Sequence, residues 1–563
     1  MFSSIKKYLL PAIVVLAGAI RLWGLPNIDL QGDAALYAFR AFGWFDFLTV
    51  DGQTSPIVWF GNIPWWGNLS FHDAPPLVMA LQYLSFRIWG ASIWGALMPH
   101  VLAGLGVTIL LYFLIKKFRS QEVALLTSFL FAISSYTIWA CLTGYLEGVE
   151  AFFIILSVSA WLYFVQSQKK KYLFIWAAST GGAILCKYTA IFLLPAVFLY
   201  ILFWQRKVFK LKEFWLSMLV LIFVLFPIII YNIFVFKTRG HFDAALSSMV
   251  GMHPEDFSTI SSRSISQASF KNIYGFIIIL YYNTSLPLFI LYLLSLFYSL
   301  YKIIKRKGSQ LLNFIVINIL LAVLLLSLAG ISERFLSFIV PFFSIITALF
   351  IFDIWHCLGH KQMWRKIFFI FLLAVFSFEL FYAFNTNILK KPLDPVNWLY
   401  ASSRFYNKGF DKLDYFVKKE FIGDLPNRTK IKNIEDLRTF VLRDDGLVLL
   451  DERLDWFSSL WYFDRYKIYH DQLIFDFTSI YALVKAENVG EMFERLNKYG
   501  IKGFWFIYAS DQSSQVRQRQ DYKGEMEIIK NALENMGIKP IKEITDYKGT
   551  VVFQIYKFNW PIK

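Results

Sequence analysis

Charged residues are scarce in this chain, so those that interrupt its apolar runs are the first candidates for chemistry. Asp33 follows the first apolar run, in "QGDAALYAFRAF" (31–42), with Asp29 just ahead of it. His72 and Asp73 stand in "HDAPPL", Glu147 and Glu150 in "GYLEGVEAFF", Lys187 in "GAILCKYTAIFLLP", and Arg334 in "ISERFLSFIVP". A carboxylate at the head of a helix can cap it, accepting from the first free backbone N–H groups. It can equally serve as a base within reach of a substrate hydroxyl. Both readings stay open for Asp33. His72 and Asp73 make a pair able to titrate near neutrality or to ligate a cation, with plain solvation as the alternative. Glu147, beside Gly144 and Tyr145, falls at or inside membrane depth, where ionisable groups are costly and usually functional. The same reading applies to Glu150 one turn on, with a charge snorkelling to the interface as the alternative. Lys187 and Arg334 stand on the face that is poor in positive charge, and an anion such as a phosphate would account for both. Pairing of Arg334 with Glu333 is the competing account.

The elements that must hold these residues are membrane spans. Charged residues make up 17% of the 563 residues and hydrophobic ones 57%, against about 25% charged in soluble domains. Apolar runs of roughly 20 residues recur along the chain. Candidate spans cover 8–24, 94–115, 123–142, 147–165, 172–186, 188–204, 214–236, 273–300, 311–330, 334–355 and 366–386, so that about eleven helices are expected. Basic residues fill alternate links, as in Lys116, Lys117 and Arg119, in 169–171, and in Lys305, Arg306 and Lys307. The region from Leu25 to Phe86 instead carries Asp29, Asp33, Asp46, Asp51 and Asp73 against Arg40. This asymmetry predicts a cytoplasmic N-terminus, an external first loop (25–90) and an external C-terminus in a multi-pass plasma-membrane protein.

The net charge of +16 therefore belongs to membrane topology and does not mark a nucleic-acid partner. Lys6 and Lys7 precede the first apolar run without a small-residue cleavage site, so that run is expected to remain as a span. Cys141, Cys186 and Cys357 lie in or beside apolar segments, which argues against a disulfide framework. "AALYAFRAFGWF" has apolar residues at helical spacing and is expected to lie along the membrane interface. Beyond Thr386 strand-like runs (446–452, 503–509, 550–558) alternate with helical ones (489–500, 525–537), predicting a small external α/β domain. The expected division is thus 1–386, a transmembrane domain that includes the first loop, and 387–563, a soluble domain.

In this order, "GDAALYAFRA", "HDAPPL", the acid of "GYLEGVEAFF", "CKYTAIFLLP" and "ERFLSFIVP" resemble the GT-C glycosyltransferases of the protein O-mannosyltransferase and aminoarabinose transferase superfamily. The likeness covers roughly residues 1–390. It implies the GT-C fold and transfer of a sugar from a polyprenyl-phosphate donor to a protein, lipid or glycan acceptor on the external face, in the lipid bilayer. It also implies that Asp33 orients or deprotonates the acceptor in an inverting displacement, with Glu147 as a second catalytic acid. His72, Asp73, Lys187, Arg334 and Tyr37 are the substrate-binding candidates, the two cations serving the phosphate. Asp33, His72 and Asp73 are candidate ligands for a divalent cation. Ala34 follows Asp33 where many members carry a second acid, and this lessens the case for a metal at that point.

A polytopic transporter or flippase of lipid-linked sugars is the alternative. Transporters carry charges and broken helices near the middle of their spans, whereas the notable charges here gather on one face, Glu379 being an exception. A membrane scaffold would leave the one-sided acids and bases unexplained.

Overall fold

The computed structural model describes residues 2–25, 28–43, 64–71, 73–257, 270–330, 332–389, 408–423, 446–454, 456–470, 472, 474–476, 479–480, 484–485, 488–510, 524–546 and 548–560. The chain divides into two compact units. One takes residues 1–26, 51–55 and 64–405, the other 27–50, 56–63 and 406–563.

Helices follow one another along the chain: α1 (Phe2–Gly24), α2 (Asp33–Gly43), α3 (Leu77–Trp89), α4 (Ile93–Phe118), α5 (Gln121–Ile133), α6 (Ser135–Leu142), α7 (Leu146–Ser167), α8 (Lys171–Cys186), α9 (Leu193–Trp204), α10 (Lys212–Arg239), α11 (Ala244–Met249), α12 (Phe270–Asn283), α13 (Leu286–Ile304), α14 (Gln310–Ala329), α15 (Leu336–Cys357) and α16 (Gln362–Phe384). All but α2 belong to the first unit. Serines start several of them. Ser92, Ser120 and Ser309 cap α4, α5 and α14, each side chain accepting from the backbone N–H three residues on. α10 ends at Gly240, whose φ of 79° suits a residue without a side chain.

Among the described residues seven helices are long and apolar enough to cross a membrane, or eight if a bent pair counts as one span. The protein is thus a multi-pass membrane protein, and several of the expected spans take a different form. The run 123–142 is α5 and α6, bent by 58°. The expected span 273–300 is two helices, α12 and α13. The run 188–204 opens with a 3-10 turn, Tyr188–Phe192, before α9. The helix α3, in the tail of the first loop, had no counterpart among the expected spans.

Breaking a span frees backbone groups that lipid cannot satisfy, and here two buried charges meet them. Arg21 of α1 donates to the Ala132 carbonyl in the last turn of α5 (3.1 Å) and to Thr137 Oγ1 (3.1 Å). Glu379 of α16 accepts from the Ser135 N–H that opens α6 (2.8 Å), and its other oxygen accepts from Ser285 Oγ just ahead of α13. A cation at a helix C-terminus and an anion at a helix N-terminus also match the sign of the helix dipole.

The second unit adds α17 (Phe410–Val417), β1 (Leu447–Leu450), α18 (Trp456–Ser459), α19 (Arg465–Tyr469), β2 (Ile474–Asp476), α20 (Val489–Lys498), β3 (Gly503–Ala509), α21 (Glu525–Asn535), β4 (Lys542–Thr545) and β5 (Val551–Asn559). The sheet order is β2-β1-β3-β5-β4. β1 runs parallel to β2 and β3, while β5 pairs antiparallel with β3 and β4. Leu449, Phe506, Met526, Ile529, Leu533 and Tyr556 are part of one core. Nearly all of "GFWFIYA" is buried, so this strand reads as a continuous apolar run without alternation.

The helix α2 is part of this unit, and here the expectation of an interfacial helix is corrected. Residues 34–41 are buried. Phe42 packs edge-on against Tyr469 (5.0 Å) and Trp461 (6.4 Å). Gly43 sits so close to Tyr469 that any Cβ there would overlap its hydroxyl. An apolar stripe selects burial without specifying the solvent, and protein has taken the place expected for lipid.

Candidate active site

Three consecutive residues after α8 each bind a different carboxylate. Lys187 ends α8 in an extended conformation (φ −163°, ψ 143°), and the 3-10 turn that follows turns Tyr188 and Thr189 in other directions. Lys187 Nζ donates to Glu147 Oε1. Tyr188 Oη donates to Asp243 Oδ2 (2.6 Å), and Thr189 Oγ1 donates to Glu150 Oε1 (2.6 Å).

The first of these carboxylates carries two cations. Arg334, in the 3-10 turn Glu333–Phe335 ahead of α15, places Nε 3.3 Å from the same Glu147 oxygen. Glu147 lies in the first turn of α7 with its side chain 1% exposed, whereas the side chains of Lys187 and Arg334 are 18% and 25% exposed. The acid is therefore sealed beneath, and the two cations reach solvent above it. Lys187 and Arg334 thus converge on one carboxylate oxygen, and two cations so placed are suited to an anion with several oxygens.

Aromatic rings brace the cations. Lys187 Nζ lies 4.7 Å from the Phe335 ring centre, and the Arg334 guanidinium lies 5.8 Å from those of Tyr145 and Phe335. The buried Tyr136 of α6 holds the Arg334 turn from behind, its hydroxyl 2.7 Å from the Glu333 carbonyl and 3.1 Å from that of Arg334. The bend between α5 and α6 thus bears directly on where Arg334 stands.

Glu150 does not snorkel. It is fully buried one turn below Glu147, and Thr189 supplies the hydrogen bond that water would have made. Asp243 begins α11, capping it by accepting from Leu246 N (2.8 Å), and it also accepts from Asn232 Nδ2 of α10 (2.8 Å). Burial pushes the Asp243 carboxyl up to about 6 against the pull of these hydrogen bonds, and the negative charge of Asp73 adds to the rise. Asp73 is thus within electrostatic reach of a buried acid that the sequence did not single out. His100 of α4 is another such residue, buried with Nε2 3.4 Å from Gln82 Nε2.

Asp33 and Tyr37 stand apart from this cluster in chain organisation, because α2 belongs to the second unit. Asp33 is the first residue of α2 and half-buried, and Tyr37 is buried. The expectation for His72 lies outside the described residues. Among the described residues no group of three or more His, Cys, Asp or Glu side chains is arranged to hold a metal ion. With His72 outside that set, no donor geometry supports the ligand set Asp33, His72 and Asp73.

Residues 73–231 match the dolichyl-phosphate-mannose-protein mannosyltransferase family. A putative mannosyltransferase, YkcB of Bacillus subtilis (strain 168), is 31% identical over 106 residues, 19% of this chain and 14% of that one. An uncharacterized protein of Aquifex aeolicus (strain VF5) is 29% identical over 208 residues, 35% of this chain and 38% of that one. The matched stretches thus span well under half of these relatives. The structure is similar to that of ArnT from Cupriavidus metallidurans, crystallised with undecaprenyl phosphate (TM-score 0.54, 12% identity, covering 97% of both chains) and in the apo state (TM-score 0.56, 12% identity, covering 99% and 98%). The chain has the fold of the GT-C glycosyltransferase superfamily, which its ordered acids and cations resemble.

Proposed function

We propose that the protein is a GT-C membrane glycosyltransferase that moves a sugar from a polyprenyl-phosphate-linked donor to an acceptor, on the face taken from the charge pattern to be external. The observation that carries this reading is the pair of cations, Lys187 and Arg334, held on one sealed carboxylate. They bind the donor phosphate and stabilise the charge that grows on it as it leaves. In this reading Glu147 acts as their counter-ion, fixing both before substrate arrives. The undecaprenyl phosphate bound to the similar ArnT structure is consistent with such a donor.

The reaction is a single inverting displacement. An acceptor oxygen attacks the anomeric carbon, the bond from that carbon to the phosphate oxygen breaks, and polyprenyl phosphate departs. The acceptor proton goes to a carboxylate, for which Asp33 is the candidate, with Tyr37 and Asp73 as candidates for substrate contact.

The test is to incubate purified protein with radiolabelled polyprenyl-phosphate sugars and membrane extract, and to identify the labelled product. Labelled acceptor is the expected result, whereas labelled donor that merely crosses sealed vesicles would support a flippase instead. Lys187→Ala and Arg334→Ala should each lower kcat/KM for the donor by roughly ten- to a hundredfold, the loss of one charge-assisted bond. Unchanged donor kinetics would remove the phosphate assignment. Asp33→Asn should abolish transfer while donor binding persists.

A further inference from the structure

Four residues before Asp33, another carboxylate is buried in the second unit and makes contacts unlike those of a loop acid. Asp29 Oδ2 accepts from the backbone N–H groups of Lys408 (2.6 Å) and Phe410 (3.3 Å), and Oδ1 accepts from that of Asp411 (2.9 Å). These amides open α17. The N-cap position of α17 is Gly409, at φ 91°, which has no side chain to cap with. A larger residue cannot stand there, because a Cβ would lie 2.9 Å from Val552 Cγ2. The cap that the local sequence cannot provide comes from Asp29, 379 to 382 residues away along the chain.

The same segment is pinned once more before α2 begins. Leu30 N–H donates to Tyr462 Oη (2.8 Å), and the Tyr462 ring stacks on Phe410 (4.9 Å). Gly32 then turns the chain at φ 55°, and Asp33 follows as the first residue of α2. Only three residues separate the clasp from Asp33, and one of those is fixed by its own hydrogen bond.

We propose that Asp29 is a positioning residue for Asp33, the clasp on α17 fixing the turn from which the Asp33 side chain starts. The inference rests on the acceptor role assigned to Asp33 under the proposed function. Asn at position 29 can offer one oxygen to three amides but no second acceptor, so Asp29→Asn opens the clasp with little change of volume. Displacing a reacting group by about an ångström is enough to cost roughly a hundredfold in rate.

The experiment measures transfer kinetics and amide hydrogen exchange in the full-length protein, for Asp29→Asn, Asp29→Glu and Asp33→Asn. In Asp29→Asn, kcat should fall by roughly ten- to a hundredfold while the donor KM stays within about twofold, since the phosphate cations belong to the other unit. The amides of Lys408, Phe410 and Asp411 should lose protection in the same variant. Asp29→Glu, which keeps both oxygens, should recover part of kcat. If Asp29→Asn proves too unstable to purify, Tyr462→Phe removes only the acceptor for Leu30 N–H and should show the same split in smaller measure. Wild-type kcat in Asp29→Asn, with Asp33→Asn inactive, would overturn this inference and leave the proposed function standing. Full activity in Asp33→Asn would overturn the acceptor assignment and this inference with it. Unchanged protection at 408–411 would show that there is no clasp.

Discussion

Glu147 offers one oxygen to two cations, and that arrangement has a measurable consequence for stability. Replacing it by Gln keeps the shape but removes the negative charge on which Lys187 and Arg334 converge. Breaking a buried ion pair from one side costs about 3–5 kcal/mol, so Glu147→Gln should lower the thermal midpoint in detergent markedly. Adding Lys187→Met should recover part of that loss, because one of the two cations then goes with its acid while Arg334 remains. Additive losses in the double variant would show that the two side chains are not coupled. Asp243 gives a prediction in pH. Its folded value of about 6 lies above its ordinary 3.8, so between those values the folded protein holds a proton that the unfolded chain has released. Its contribution is present in acid and is lost as pH rises from about 4 to 6, by roughly 3 kcal/mol. Wild type should therefore gain stability over Asp243→Asn on acidification from pH 7 to 4.5, and a constant difference would refute the assignment. Lys187 was legible in the sequence because a cation interrupts a long apolar run. Tyr188 and Thr189 were not, since "KYT" reveals nothing of partners 39 and 55 residues away.

At the scale of elements, the bend between α5 and α6 decides where Tyr136 stands, and Tyr136 sets the turn carrying Arg334. Arg21 and Glu379 support that bend from opposite sides, one taking the Ala132 carbonyl and the other the Ser135 amide. Leaving either backbone group buried without its partner costs about 1–3 kcal/mol. Arg21→Leu and Glu379→Ala should each lower the thermal midpoint, and the double variant should lose less than the two singles together, because both act on one break. Fully additive losses would mean that the two charges support separate features. Hydropathy located the apolar run 123–142 but could not show its bend, because "FAISSYTI" stays apolar enough to average over the break. The same averaging merged α12 and α13 into one expected span. Glu379 was visible as an intramembrane exception, yet its role depends on chain breaks that a window of residues does not resolve. For α2 the periodicity correctly indicated a helix with an apolar face. What covers that face is set by Trp461 and Tyr469, more than 400 residues downstream.

For the whole molecule, the second unit is discontinuous in sequence. A cut at residue 387, where the composition changes from apolar to mixed, would separate the sheet from α2 and from Asp29. The change of composition is legible because lipid and water select different residues. The membership of 27–50 is not, because a short amphipathic helix carries no label for the domain that buries it. The consequence is a prediction about folding. Leu36, Tyr37 and Phe39 of α2 are nearly fully buried in the whole chain, and covering such side chains stabilises by about 1.5–3 kcal/mol each. The sum, roughly 5 kcal/mol or more, is comparable to the entire stability of a small domain. Residues 406–563 produced alone should therefore lack a cooperative thermal transition and bind hydrophobic dye. The same segment joined through a flexible linker to residues 27–50 should recover the transition, and Asp29→Asn in that fusion should lower its midpoint by uncapping α17. If 406–563 alone melted cooperatively at the midpoint of the fusion, α2 would be a passenger on the second unit, and Asp33 would have to be positioned by other contacts.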